Sequence, residues 1–161
     1  MLDGIDLRGK TAIVTGGYAG LGLETTRALA AAGATVIVPA RSQDKAKTAL
    51  VGLANVELAS LDLLDPASIA AFAAQFVGSG RALHMLVNNA GIMATPLARD
   101  TRGYETQFSA NHLGHFQLTA QLLPALKRAG GARVVSLSSR GHRFGGIDYD
   151  DPNYQHRDYD K

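Results

Sequence analysis

Thr11-Ala-Ile-Val-Thr15-Gly16-Gly17-Tyr18-Ala19-Gly20-Leu21-Gly22 is the stretch on which the fold turns. Residues 11–15 are a short apolar run with β-branched side chains, the pattern of a buried strand. Residues 21–32 are rich in Ala and Leu and read as a helix, with Gly33 placed to end it. Their junction, residues 16–22, carries four glycines. Glycine lets a backbone turn sharply and approach a diphosphate with no Cβ in the way. The helix start adds free N–H groups and a partial positive charge. Gly16, Gly20 and Gly22, with Tyr18 and Leu21 between them, are therefore the expected phosphate-side residues. Gly22 is also expected to let the helix pack close on the sheet. The spacing is Gly-x-x-x-Gly-x-Gly, not the Gly-x-Gly-x-x-Gly of most dinucleotide folds. No Gly-Lys-Ser/Thr follows, so this is not a P-loop.

The alternation continues outward from this unit. Further apolar runs at 35–39, 56–61, 83–88 and 133–137 read as strands. Helices are expected from Ser42, as a cap, to about 50, and from Asp65-Pro66 to about 77. A long helix is expected over 104–126, before Gly130-Gly131. Continuous rather than alternating apolar strands imply burial on both faces, with helices on both sides. The fold class is α/β, a doubly wound, Rossmann-like parallel sheet, whose ligands sit at the carboxyl ends of the strands.

Composition narrows the function. A chain of 161 residues is one domain's worth, and 46% hydrophobic with 19% charged residues excludes intrinsic disorder. Cysteine is absent, which removes disulfides and thiolate chemistry. The net charge is +2 with acids and bases interspersed, so nucleic acid is not an expected partner. Residues 1–10 carry Asp3, Asp6, Arg8 and Lys10, unlike a signal peptide, and no apolar run approaches a membrane span. No membrane partner is expected, and the cytoplasm is the expected location.

Each remaining motif falls at a strand end. Ala40-Arg41 ends the second strand, where an NAD site would carry an acid for the ribose 2′-hydroxyl. Arg41 instead offers a planar cationic fork to a 2′-phosphate. Asp62-Leu63 ends the third strand, where a carboxylate can accept from an adenine amino group. Asn88-Asn-Ala-Gly91 ends the fourth, giving a loop held by side-chain hydrogen bonds beside a cofactor. Asn111 lies inside the long helix, where its side chain competes for backbone bonds; it is expected to hold a water or kink the helix. His112 and His115 have a metal-like spacing but no acidic or sulfur partner nearby, so surface or packing roles are expected and no metal site. Ser138-Ser139 ends the fifth strand, where a hydroxyl can bond a substrate carbonyl. It lacks the Gly-x-Ser-x-Gly elbow of a hydrolase nucleophile.

Together these motifs resemble the short-chain dehydrogenase/reductase family, in order and spacing, from about Lys10 to Ser139. Asn88-Asn-Ala-Gly-Ile-Met93, Gly103-Tyr-Glu105 and Asn111-His-Leu-Gly-His-Phe116 are similar to its retinol-dehydrogenase-like branch. The resemblance implies hydride transfer between a nicotinamide cofactor and a small carbonyl or alcohol. It implies that Asn111 supports a water relay and that Ser139 orients the substrate oxygen. It also gives the diphosphate loop to Gly16, Gly20 and Gly22, the adenine contact to Asp62, and the cofactor wall to Asn88, Ala90 and Gly91. Arg41 matches a position that often selects NADP over NAD in this family, although Ala19 stands where a basic residue would strengthen that choice.

The family's Tyr-x-x-x-Lys pair is absent from these 161 residues. Tyr149 is followed four residues on by Asn153, and Tyr154 by Asp158. The expected organisation is a dinucleotide-binding domain over 1–139, incomplete at its C-terminal side. A polar tail over 140–161 would precede the helix that carries that pair in the family. The alternative is a catalytically silent NADP-binding, regulatory or interaction module. The long helix 104–126 is the expected surface for any homo-oligomer.

Overall fold

The computed structural model describes residues 4–143 and 145–159. Five parallel strands form one sheet in the order β3-β2-β1-β4-β5. They are β1 (Thr11–Val14), β2 (Thr35–Ala40), β3 (Val56–Ser60), β4 (Met85–Asn88) and β5 (Arg133–Ser136). The order reverses between β1 and β4, which places the switch point beside the glycine turn. Register pairs Ile13 with Ile37 on one side and with Leu86 on the other.

Side-chain alternation along β1 feeds two cores. Ala12 and Val14 face Val36, Val38, Ala46 and Leu50, beneath α1 (Gly20–Ala31) and α2 (Gln43–Ala49). Ile13 faces Ile69, Phe72, Leu86, Leu118 and Leu122, beneath α3 (Pro66–Gly78) and the long helix. Burial on both faces is what makes these strands read as unbroken apolar runs. The two edge strands depart from that expectation: no residue of β3 is fully buried, and all four residues of β5 are exposed, where no helix of the described residues covers it.

Local signals fare unevenly. Asp65 caps α3 by accepting from Ala67 N at 2.9 Å, with Pro66 in the first turn. Ser42 sits at the start of α2 but makes no side-chain cap bond. Gln43 secures that corner instead, its Nε2 donating to the carbonyls of Ala40 and Ala59. The long helix starts at Glu105, whose buried carboxylate accepts from Gln107 N and Phe108 N. One α turn, α4 (Thr106–Phe108), leads into a π turn over Ser109–Leu113 and then α5 (Gly114–Arg128). Asn111 does mark an irregularity, as its helix-breaking chemistry suggested.

The 145–159 segment does not hang free. Arg99 donates to the carbonyls of Asn153 and Tyr154, Asn153 Oδ1 accepts from Glu105 N, and Tyr159 bonds Glu105 and Gln107. Asp151 folds this segment on itself by accepting from the amides of Gln155, His156 and Arg157.

Candidate cofactor cleft

A cleft of about 850 Å³ opens over the carboxyl ends of β1 to β4. Its walls include Gly16, Tyr18, Gly20, Leu21 and Gly22 from the glycine turn, and Arg41, Asp62 and Leu63 from β2 and β3. Ala90, Gly91 and Asn111 complete it from the other side of the switch point. The structure thus brings together nearly all of the residues that the sequence scatters over a hundred positions.

The glycine turn holds its shape for three different reasons. Gly16 (φ +64°) and Gly20 (φ +50°) occupy the left-handed region, which side chains disfavour. A Cβ on Gly16 would come within 3.1 Å of Ala90 Cα, so this glycine lets the turn meet the β4 loop. A Cβ on Gly20 would meet no protein atom within 4 Å; it would enter the cleft itself. Gly22 does not serve the helix-to-sheet packing expected of it. A Cβ there would collide with Gly16 O and the Asn89 amide, so Gly22 lets the helix start close down on its own loop. The close helix–sheet glycine is Gly17, where a Cβ would stand 2.6 Å from Thr26 Oγ1 of α1 and 2.9 Å from Val14 O of β1. Gly114 seats the long helix against the loop after β3, where a Cβ would stand 2.5 Å from Leu63 O.

Two features of this turn suit an anionic group. Ala19 at the start of α1 caps no amide with its side chain, and the first turn carries no acid. The amides there are left for an outside acceptor. Arg41 lies along the same cleft with its side chain 70% exposed, and its contact with Asp62 is a loose 4.0 Å. Asp62 Oδ1 is engaged by Leu64 N, at 2.9 Å. The protein residues present therefore fit a dinucleotide: an open glycine, free helix amides, and an exposed cation at the end of β2.

The β4 loop is pinned from three directions. Thr15 Oγ1 accepts from Asn89 N (2.9 Å) and Ala90 N (3.0 Å), and Asn89 Nδ2 donates to Thr15 O. Asn111 holds both sides of the Ile92 peptide, accepting from its N–H and donating to its carbonyl. The Asn111 side chain is committed to this loop, whatever its carbonyl does. Asn88 faces away from the cleft. It is buried, and its Nδ2 donates to Thr119 and Ser136 hydroxyls across β4 and β5.

A second cleft, about 660 Å³, adjoins the first and shares Asn89, Ala90, Gly91, Asn111 and Leu137 with it. Ser138 and Ser139 line this second space together with Asn88, His112 and His115. Ser139 Oγ accepts from Gly141 N at 3.0 Å. Tyr149, Tyr154 and Tyr159 line neither cleft.

His115 is the residue that sequence reasoning undervalued. It is 6% exposed and bonds Thr15 Oγ1 at 2.9 Å, a partner exactly one hundred positions away. His112 remains on the surface of the helix, stacked between Phe108 and Phe116. Among the described residues no cluster could hold a metal ion, and no helix is long and apolar enough to cross a membrane.

A doubly wound sheet with a glycine turn at its switch point defines a nucleotide-binding domain of the Rossmann-like class. The profile of the short chain dehydrogenase family matches residues 10–149. Mouse retinol dehydrogenase 11 is 43% identical over 151 residues, covering 90% of this chain and 48% of its own. The crystal structure of an uncharacterized protein from Mycobacterium paratuberculosis superposes with a TM-score of 0.87 at 42% identity, over 98% of this chain and 56% of that one. A metagenomic short-chain oxidoreductase solved in complex with NADP superposes with a TM-score of 0.72 at 29% identity, over 83% of this chain and 63% of that one. The chain belongs to the short-chain dehydrogenase family, and it spans about half the length of the curated relatives it matches.

Proposed function

We propose that this chain is the NADP(H)-binding portion of an oxidoreductase that moves hydride to or from a carbonyl or alcohol. The observation that carries the cofactor choice is Arg41. Its exposed guanidinium borders the cleft at the end of β2, and its neighbour there is Ala40 rather than an acid. A 2′-phosphate gains a charge-assisted, bidentate partner at that point, whereas a 2′-hydroxyl lacks its carboxylate acceptor. The NADP complex of the metagenomic relative supports the same choice.

Bound nicotinamide would supply or accept the hydride. The chain's own residues bind and orient. Free amides at the start of α1 receive the diphosphate, Asp62 receives the adenine side, and Ala90 and Gly91 form the wall between the clefts. The continuity of the two clefts through Asn111 and Leu137 supports a reacting centre close to Ser139, which can donate its hydroxyl to a substrate oxygen. Proton transfer needs a group these residues do not provide there, since no tyrosine of the 145–159 segment reaches either cleft.

Titration of the protein with NADPH and NADH tests the proposal. NADPH is expected to bind at least tenfold tighter, with the preference lost in Arg41→Ala. Equal affinity in the native protein, or an unchanged preference in the variant, would overturn the assignment of cofactor.

A further inference from the structure

We propose that His115 is a positioning residue that ties the Asn111 carbonyl to the Thr15 hydroxyl, and through that hydroxyl sets the Asn89–Ala90 wall between the two clefts. The geometry assigns its tautomer. His115 Nδ1 lies 2.9 Å from Asn111 O, and a carbonyl can only accept, so Nδ1 carries the hydrogen. Nε2 is then the acceptor and takes the Thr15 hydroxyl hydrogen at 2.9 Å, ahead of the Val87 carbonyl that lies 3.3 Å from the same hydroxyl. With its hydrogen so directed, Thr15 Oγ1 has both lone pairs free for Asn89 N–H and Ala90 N–H. One ring thus orients one hydroxyl, and that hydroxyl holds two successive amides. The π turn leaves the Asn111 carbonyl beside the ring while the Asn111 side chain grips Ile92. Both walls of the junction are therefore fixed from a single position.

The arrangement works only with a neutral ring. An imidazolium would aim Nε2–H at Thr15 Oγ1, whose two lone pairs are already taken, and one amide would have to let go. The protein favours the neutral form: burial pushes the His115 pKa below its usual 6.5 against the Asn111 carbonyl, and His112 adds to the lowering. Among the described residues, His112 is the one other titratable group lining this cleft. The residues that meet it there from β4, β5 and their loops are uncharged: Asn88, Asn89, Ala90, Val134, Ser136 and Ser139 among them.

Amide NMR on the cofactor-free protein tests the coupling directly. The Asn89 and Ala90 resonances are expected to titrate together with the His115 ring, at a midpoint below 6.5, and still to follow the ring in His112→Gln, where the shared midpoint moves upward as the His112 charge is removed. In His115→Phe, which keeps a ring but no nitrogen, these two amides are expected to exchange about tenfold faster with solvent. His115→Gln, whose side-chain amide can still bond the Thr15 hydroxyl, should recover part of that protection. Should His115→Phe fail to fold, the titration of the native protein decides. Amides that ignore the ring's titration, or unchanged exchange in folded His115→Phe, would overturn the proposal.

A second arm rests on the reading that the cleft takes NADP(H). There the NADPH Kd of His115→Phe is expected to rise about tenfold and to lose the acid-side weakening of the native protein that follows the ring. If the native protein binds no NADPH while the amides still follow the ring, the cofactor reading falls and the coupling stands. If it binds NADPH with an affinity indifferent to His115, the cofactor reading stands and the positioning role falls.

Discussion

Arg41 and Gly20 make opposite demands on a ligand, and each can be tested alone. A charge-assisted bond to a 2′-phosphate is worth about 1.5–3 kcal/mol, so Arg41→Ala should cost roughly ten- to a hundredfold in NADPH affinity and little in NADH affinity. Competitive binding with the two nucleotides reads the difference. Gly20→Val adds a branched side chain to open space in the cleft at a positive φ. It should abolish nucleotide binding at a modest loss of thermal stability. Gly16→Val should also abolish binding, but with a larger fall in Tm, since its Cβ presses on Ala90 rather than on a ligand. Equal Tm values for the two variants would contradict this division. The sequence exposed Gly16, Gly20 and Arg41 because their chemistry is local: a turn and a strand end each carry their own signature. His115 was opaque for the opposite reason. Its meaning lies in Thr15, and nothing in the spacing of His112 and His115 points across one hundred residues to a threonine.

Among the elements, the inner strands β1, β2 and β4 were legible because burial writes itself as an apolar run. The π turn was not. It inserts into the long helix without a composition of its own, and only the awkward placement of Asn111 hinted at it. Gly114, just beyond, was missed as well, because a glycine in a helix reads as a tolerated weakness until its neighbour, the Leu63 carbonyl, is known. Gly114→Ala should force that carbonyl or the helix aside and destabilise the fold by about 1–3 kcal/mol, measurable as a lowered denaturation midpoint. The turn before α4 carries a pH signature. Burial of Asp100 works to raise its pKa, but the Ser109 hydroxyl, the Arg102 guanidinium and the amides of Arg102 and Tyr104 outweigh it and hold the pKa at about 2. The folded state thus binds this proton more weakly than the unfolded chain. Its contribution should be whole above the ordinary value of 3.8 and lost as pH falls from there through about 2. Asp100→Asn should cost about 2–3 kcal/mol at neutral pH, and melts of the two proteins should converge on acidification to pH 2. A gap that stays constant with pH would rule out the carboxylate as its source.

The whole molecule shows the same division between what binds and what reacts. The cleft for a dinucleotide is assembled from β1 to β4, but the second cleft is walled on one side by β5, whose Val134 and Val135 are about half exposed. Positioned acid–base catalysis is typically worth 10²–10⁴-fold, and among the described residues the one tyrosine lining either cleft, Tyr18, belongs to the glycine turn and not to the second cleft that holds Ser139. The 161-residue chain by itself should bind NADPH yet show no measurable oxidation of it with aldehydes or ketones. Robust turnover would send the search for a proton donor back to Tyr149, Tyr154 and Tyr159. An apolar strand open along one edge also invites pairing with another chain. Light scattering should therefore rise with protein concentration, and a charge introduced by Val135→Lys should suppress the rise.

The strand order has a kinetic consequence. β1, β2 and β3 are consecutive in the chain and adjacent in the sheet, so the first half can zip up locally. β4 must then return past β2 and β3 to dock on β1, and the bond from Thr11 N to His84 Nδ1 closes a span of 73 residues. Closing so long a loop costs entropy before any contact rewards it, which makes it the slow event. The nucleotide cleft lies across that late seam, with the glycine turn on one side and the β4 loop on the other. In a stopped-flow refolding experiment, NADPH should leave the early rise of helical signal untouched and bind only in the final phase, a clock for the moment the two halves of the sheet meet.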